Sequence, residues 1–235
     1  MSDYLLIHGD ARRLPVDPRS IDCVITDPPY GMNWDADTNR FTGGATPKGR
    51  GRKRNTFGAI ANDDKPFDPK PWLGFPKVIL WGSNHYASEL PKGTTLVWLK
   101  KQDHLFGMFL SDAELGWMKS GHGVYCFRAN FPPPSRIAES PIAKQVAHPT
   151  QKPVKLMRWC IKRLLLKPGS LILDPYMGSG TTGIAALQEG HRFIGIDIER
   201  KYVEIARRRL ERPHQVVGRP GKPEHHPLFP EHSDA

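Results

Sequence analysis

The stretch Leu171 to Gly183, LILDPYMGSGTTG, limits the fold more than any other part of the chain. A short apolar run meets an Asp-Pro turn, and Gly178, Gly180 and Gly183 then open a segment of helical character. Glycine at such a turn lets the backbone approach a ligand closely, and a helix start presents free N–H groups with a positive dipole. A strand that feeds a helix through so short a turn is half of a βαβ unit and commits the chain to an α/β layer fold. The spacing satisfies G-x-G-x-x-G, and the next strand, FIGID, ends in Asp197, placed to accept hydrogen bonds from ribose hydroxyls. No lysine follows the glycines, which excludes a phosphate-binding P-loop in its usual form.

Asp174 lies between the strand and the glycines, where a carboxylate repels a pyrophosphate and attracts an ammonium group. A cofactor with an amino-acid end, an adenosine end and no phosphate suits both Asp174 and Asp197, and S-adenosylmethionine has that shape. The alternative at this point is that Asp174 caps a turn and Asp197 begins one. An NAD-dependent oxidoreductase is disfavoured by Asp174 and by the lack of an evident hydride-transfer constellation.

Seven apolar segments read as strands, namely 4–7, 21–26, 77–81, 94–99, 124–128, 170–173 and 192–196. Several are continuous rather than alternating, as expected for strands buried on both faces of a mostly parallel sheet. Helical spacing predicts helices over 154–166, 181–189 and 201–210, with Arg207, Arg208 and Arg209 on the polar face of the last. After Asp197 only one helix and a Pro- and His-rich tail, 213–235, remain. The strands that complete the sheet are therefore expected from the N-terminal half. Cys23, Cys126 and Cys160 are an odd number and widely spaced, so neither a disulfide scaffold nor a metal site is expected, and Cys23 and Cys126 are read as packing residues. With 34 Lys and Arg against 24 Asp and Glu the formal charge is +10, which favours a polyanion, an anionic surface or plain solubility. No apolar run reaches the roughly 20 residues of a membrane span, and the N-terminus lacks a signal-peptide pattern, so a cytoplasmic protein without a membrane partner is expected.

A second turn carries chemistry. The strand ending at Thr26 runs into Asp27-Pro28-Pro29-Tyr30-Gly31, where two prolines stop the strand and stiffen the loop at its carboxyl end. Ligands of α/β sheets bind at those ends. The Asp27 carboxylate and the Asp27 and Pro28 carbonyls offer acceptors beside the Tyr30 ring, which suits a planar ligand with an exocyclic amine. A plain turn with an exposed tyrosine is the alternative for the loop alone.

Asp27 to Tyr30 resembles the DPPY motif of amino-directed DNA methyltransferases, and Asp174 to Thr182 is similar to their cofactor motif, usually written with Phe where this chain has Tyr176. His148-Pro149-Thr150-Gln151-Lys152-Pro153 resembles the HPTQKP segment that precedes that motif in the β-class arrangement. The order DPPY, HPTQKP, glycine turn is that of the β class, a circularly permuted Rossmann-like methyltransferase fold with a mostly parallel seven-stranded sheet and helices on both faces. The resemblance spans about residues 4 to 212 and implies one catalytic domain, 1–212. It implies S-adenosylmethionine as cofactor, with Asp174, Tyr176, Gly178, Gly180 and Thr181 at its methionine end, Gln151 and Lys152 flanking, Asp197 on ribose, and Asp10 and Ala11 at adenine. Asp27, Pro28, Pro29 and Tyr30 would take the target base, flipped out of double-stranded DNA. Asp at the first motif position favours adenine N6; cytosine N4 methylation is the nearest rival, and a catalytically silent DNA-binding domain is a further one.

Residues 39–64 lack an apolar period and read as a flexible loop in which Lys48, Arg50, Arg52, Lys53 and Arg54 are expected to bind phosphates. Residues 130–147 stand where the resemblance implies target recognition. That is short for the task, so either it reads a small site, or the basic loop shares the task, or a homodimer supplies the rest. Nothing in the sequence bears on a restriction endonuclease partner.

Overall fold

A computed structural model describes residues 3–13, 16–32, 61–108, 111–140 and 147–212. Its sheet has seven strands: β1 Tyr4–His8, β2 Cys23–Thr26, β3 Lys77–Trp81, β4 Gly93–Leu99, β5 Ala113–Arg128, β6 Leu171–Asp174 and β7 Arg192–Asp197. Their order across the sheet is β1-β7-β6-β2-β3-β5-β4. β1, β7, β6, β2 and β3 run parallel, while β5 meets β3 antiparallel. The late strand β6 therefore sits beside the early strand β2, as the permuted order requires.

The strands alternate between two cores. Cys23, Ile25, Ile79, Trp81, Ile172 and Phe193 face one side, whereas Val24, Val78, Leu80, Leu173, Ile194 and Ile196 face the other. Burial on both faces explains why these segments read as unbroken apolar runs. The first side is covered by α3 Val154–Arg163, α4 Thr181–Gln188 and α5 Arg200–Leu210 through Leu156, Cys160, Ile184, Val203 and Ala206. Across the sheet, the short helix α1 Lys70–Leu73 and the loop residues Phe67, Phe75 and Tyr86 do the same. Helices thus flank both faces, as expected, with the longer ones on one side.

Three sequence expectations change. Strand β5 begins at Ala113, eleven residues before the expected 124, and it turns at Ser120 and Gly121, whose φ values of 73° and 75° are left-handed. β4 is matched to both of its halves, Trp98 opposing Glu114 as well as Phe127. The expected recognition segment contains the helix α2 Pro133–Ala138, with Glu139 capping its end; residues 141–146 lie outside the described residues. Cys126 is exposed on β5 rather than packed, whereas Cys23 and Cys160 are buried. Arg209 is only 1% exposed and is no part of a polar face.

Arg209 instead ties three segments together. Its Nη1 donates to the Ser179 carbonyl at 2.7 Å, to Ser179 Oγ at 2.8 Å and to Thr181 Oγ1 at 3.0 Å. Its Nε donates to the Glu139 carbonyl at 3.0 Å, and its Nη2 reaches Glu139 Oε2 at 3.4 Å. Burial lowers the guanidinium to about 10, which leaves it charged at neutral pH. A residue spaced three after Ala206 falls on the buried side of α5, and the planar fork is what lets a cation survive there. Arg209→Met should destabilise the protein by about 3 kcal/mol in urea unfolding, because it strands Glu139 and the Ser179 carbonyl. Arg208→Met on the exposed side should change stability by less than about 0.5 kcal/mol.

Candidate active site

Two strand ends build one cleft. β2 and β6 are adjacent and parallel, with Cys23 opposite Ile172 and Val24 opposite Leu173, so their following turns emerge side by side. Thr26 Oγ1 donates to Asp174 Oδ1 at 2.7 Å and joins the two turns directly. The cleft holds about 1120 Å³ of empty space open to solvent. It is lined by Asp10 and Ala11 after β1, by Asp27, Pro28, Pro29 and Tyr30 after β2, by Gln151 and Lys152, by Asp174, Tyr176, Gly178 and Thr181 after β6, and by Asp197 after β7.

Gly180 is the exception. It is not among the residues lining the cleft; its φ is 76°, and a Cβ there would stand 2.8 Å from that of Ala206, so glycine lets α4 pack closely on α5. The expected phosphate contacts Lys48, Arg50, Arg52, Lys53 and Arg54 lie outside the described residues.

The Asp27 turn is held from several sides. Asp63 Oδ1 accepts from the Tyr30, Gly31 and Met32 amides at 3.1, 3.0 and 3.2 Å. Asp63 is buried, so the end of the expected 39–64 loop is a packed support for the turn. The Tyr30 hydroxyl donates to Asp27 Oδ1, and its ring stacks on exposed His85 at 4.9 Å with an interplanar angle of 7°. Gly82 makes room for that ring: a Cβ there would lie 2.0 Å from Tyr30 Cε1.

Lys152 enters the cleft with its ammonium committed. Its Nζ lies 2.5 Å from Asp27 Oδ2 and 2.8 Å from Glu114 Oε2. Burial pulls the ammonium down, but Asp27 and Glu114 outweigh it and hold Lys152 above its usual value, hence charged. Burial, with help from Glu114, raises the Asp27 carboxyl, and Lys152 opposes the rise. For Glu114 the balance reverses: burial would raise it, yet Lys152 and Lys100 bring it down to about 2.

At the far end of the cleft Asp174 has no cationic partner among the described residues, while Lys201 acts on Asp197 only at longer range. Burial raises Asp174 to about 6, although Thr182, Thr26 and the Tyr176 amide donate to it. Burial likewise raises Asp197 to about 6, where the Gly178 and Glu199 amides donate at 2.9 and 2.8 Å. Asp10 differs, since Arg12 Nη2 holds its Oδ2 at 2.6 Å and lowers the carboxyl. Gln151 gives its Nε2 to Glu139 Oε2 at 3.0 Å, while its buried Oε1 has no hydrogen-bond partner among the described residues. His148 lies beside the Tyr202 ring at 4.4 Å, and burial lowers its imidazole to about 3, so it lines the cleft as a neutral group.

Sequence reasoning missed Glu114, Asp63, His85 and His148 as members of the site. Only His148 carried a signal, as the first residue of the HPTQKP segment.

With this geometry in view, a family model described as DNA methylase matches residues 90–208, just over half of the chain, and the chain belongs to that family. Over 67 residues it is 54% identical to the type II methyltransferase M2.DpnII of Streptococcus pneumoniae, covering 27% of this chain and 24% of that protein. Over another 67-residue match it is 46% identical to the DNA adenine methyltransferase YhdJ of Escherichia coli (strain K12), covering 27% and 21%. The match spans about a quarter of the length of these relatives. Among solved structures, the PvuII DNA methyltransferase, described as cytosine-N4-specific, shares the fold with a TM-score of 0.57 at 17% identity, over 88% of this chain and 86% of that chain.

Asp63→Ala should remove the shared acceptor of three amides and cost about 2 kcal/mol. Urea unfolding measures the loss, and faster hydrogen exchange at Tyr30 to Met32 should accompany it.

Proposed function

We propose that this protein transfers a methyl group from S-adenosylmethionine to the N6 amine of an adenine flipped out of double-stranded DNA. The observation that supports the reading is the meeting, in one cleft, of the Asp27 turn with the Asp174 turn, whose carboxylate has no cationic partner among the described residues. The described residues fit the cofactor on structural grounds. Asp174 and Asp197 are desolvated carboxylates with neutral donors only, and Gln151 Oε1 is a buried acceptor in want of a donor. An ammonium group answers the first and last of these, and ribose hydroxyls answer Asp197. Tyr176, Gly178 and Thr181 would line its methionine end, with Asp10 and Ala11 at adenine. When bound, S-adenosylmethionine supplies an electrophilic methyl on a sulfonium.

The protein's own groups prepare the nucleophile. An aromatic amine is a poor one because its lone pair is delocalised into the ring. When the Asp27 carboxylate and the Pro28 carbonyl accept its two hydrogens, the nitrogen pyramidalises and the lone pair becomes available. Tyr30 offers a ring for stacking the extruded base, and positioning is the main catalytic contribution. Lys48, Arg50, Arg52, Lys53 and Arg54 are proposed to hold phosphates, residues 130–147 to contribute to target reading, and residues 1–212 to act as one catalytic domain.

Adenine is favoured over cytosine N4 by Asp at the first position of the motif, and similarity to the E. coli DNA adenine methyltransferase YhdJ agrees with it. Mass spectrometry of nucleosides from treated DNA should find N6-methyladenine; N4-methylcytosine alone would sink the assignment. Asp27→Ala should abolish turnover and leave cofactor affinity within a few fold, as isothermal calorimetry can check.

The two free carboxylates set a pH dependence. Both are raised above their unfolded values, so in the ligand-free protein their favourable contribution is full below about pH 4 and fades as pH rises through about 6. Cofactor binding needs them ionised and follows the opposite course. Between pH 7 and pH 5 the dissociation constant should rise about tenfold per carboxylate, and the gain in Tm on adding cofactor should shrink.

A further inference from the structure

Behind Asp27 the charges alternate in a chain. Asp27 Oδ2 holds the Lys152 ammonium, the same ammonium holds Glu114 Oε2 at 2.8 Å, and Glu114 Oε1 accepts from Lys100 Nζ at 3.0 Å. The Lys152 side chain is 6% exposed, while those of Glu114 and Lys100 are 30% and 27% exposed. The line thus runs from the cleft towards solvent. Lys152 cannot be counted as a private partner of Asp27, because a second carboxylate claims it at nearly the same distance. Glu114 occurs at this place because β5 enters the sheet antiparallel beside β3, opposite Trp98 of β4.

We propose that Glu114 is a positioning residue which, by sharing Lys152, sets how much of that cation Asp27 keeps and so the charge that Asp27 presents to the target amine. The inference rests on the reading of Asp27 as the acceptor of that amine. It also explains a physical oddity. A buried carboxylate fully neutralised by its own lysine makes a weak acceptor for a neutral amine, whereas one sharing the cation keeps more of its charge for the ligand. The other ionisable groups facing Asp27 are Tyr30 from its own turn, Tyr86 beyond β3 and Asp174 at the end of β6. None of them is a cation, so Lys152 alone balances the site among the described residues.

Single-turnover methylation at saturating cofactor, measured against pH, tests the proposal. Asp27 acts ionised, so the rate should fall on its acid side as Asp27 gains a proton. Glu114→Gln returns all of Lys152 to Asp27 and removes a like charge, and should move that acid limb down by about one pH unit. Lys152→Met leaves two carboxylates facing one another and should move it up by one unit or more. Cofactor affinity should stay within a few fold in Glu114→Gln. If Lys152→Met fails to fold, the double variant Lys152→Met/Glu114→Gln removes one charge of each sign and should still place the limb above wild type, since burial is then opposed by the Tyr30 hydroxyl without the help of a cation. Lost packing would lower the rate alike at every pH. An unmoved limb in Glu114→Gln, or shifts of one sign in both single variants, would overturn the proposal. Wild-type protein that forms no N6-methyladenine would instead overturn the reading of the site on which it rests.

Discussion

The arrangement depends on the contact between β2 and β6. Thr26 and Asp174 are 148 residues apart in the chain, yet their side chains share a 2.7 Å hydrogen bond at the carboxyl ends of neighbouring strands. Parallel pairing carries both turns to the same edge of the sheet, and the Thr26 hydroxyl then fixes one oxygen of Asp174. Buried polar groups tolerate little misfit, because an unpaired donor or acceptor there costs more than a good bond returns. The bond therefore acts as a gauge between the turn that carries Asp27 and the turn that carries the glycines. Arg209 clamps the second of these from behind and anchors it to Glu139, which also accepts from Gln151. In the proposed function, one residue of the recognition segment is thereby tied both to the glycine turn and to the loop carrying Lys152.

Much of this was legible in the sequence because the parts that carry it obey local rules. The strands flanking the cleft are buried on both faces and read as apolar blocks, and the glycine and proline turns leave few backbone choices. What escaped was set by distant partners. Residues 113–119 hold Gly116 in mid-strand, which argues against a strand until Trp81 is seen to occupy the space, 3.2 Å from where a Cβ would be. Arg209 looked like surface because it is charged and follows two other arginines. Only the segment ending at Glu139, folded against α5, makes its burial affordable. Asp63 stood in a stretch without apolar period, and its task, accepting three amides of a turn some 30 residues earlier, leaves no periodic trace.

The electrostatics of the cleft then follow from which cation goes where. The chain carries a formal +10, yet the described lining of the cleft includes Asp10, Asp27, Asp63, Asp174, Asp197 and Glu199 against the single cation Lys152. Carboxylates at that density disfavour a phosphate and favour a cationic or neutral guest. In the proposed function a basic surface and an acidic cleft would divide two tasks: holding a polyanion outside and admitting something that is not an anion. Within the cleft the separation continues. The Asp27 end is partly balanced by Lys152, which Glu114 shares, so it suits a neutral amine, whose hydrogens need acceptors rather than a full counter-charge. The Asp174 end has hydroxyl and amide donors only, and burial there leaves a carboxylate whose ionised form becomes comfortable when a cation arrives. Exchanging the two environments would defeat both: a lysine at Asp174 would repel a cationic guest, and an unbalanced Asp27 would take up a proton and lose its acceptor.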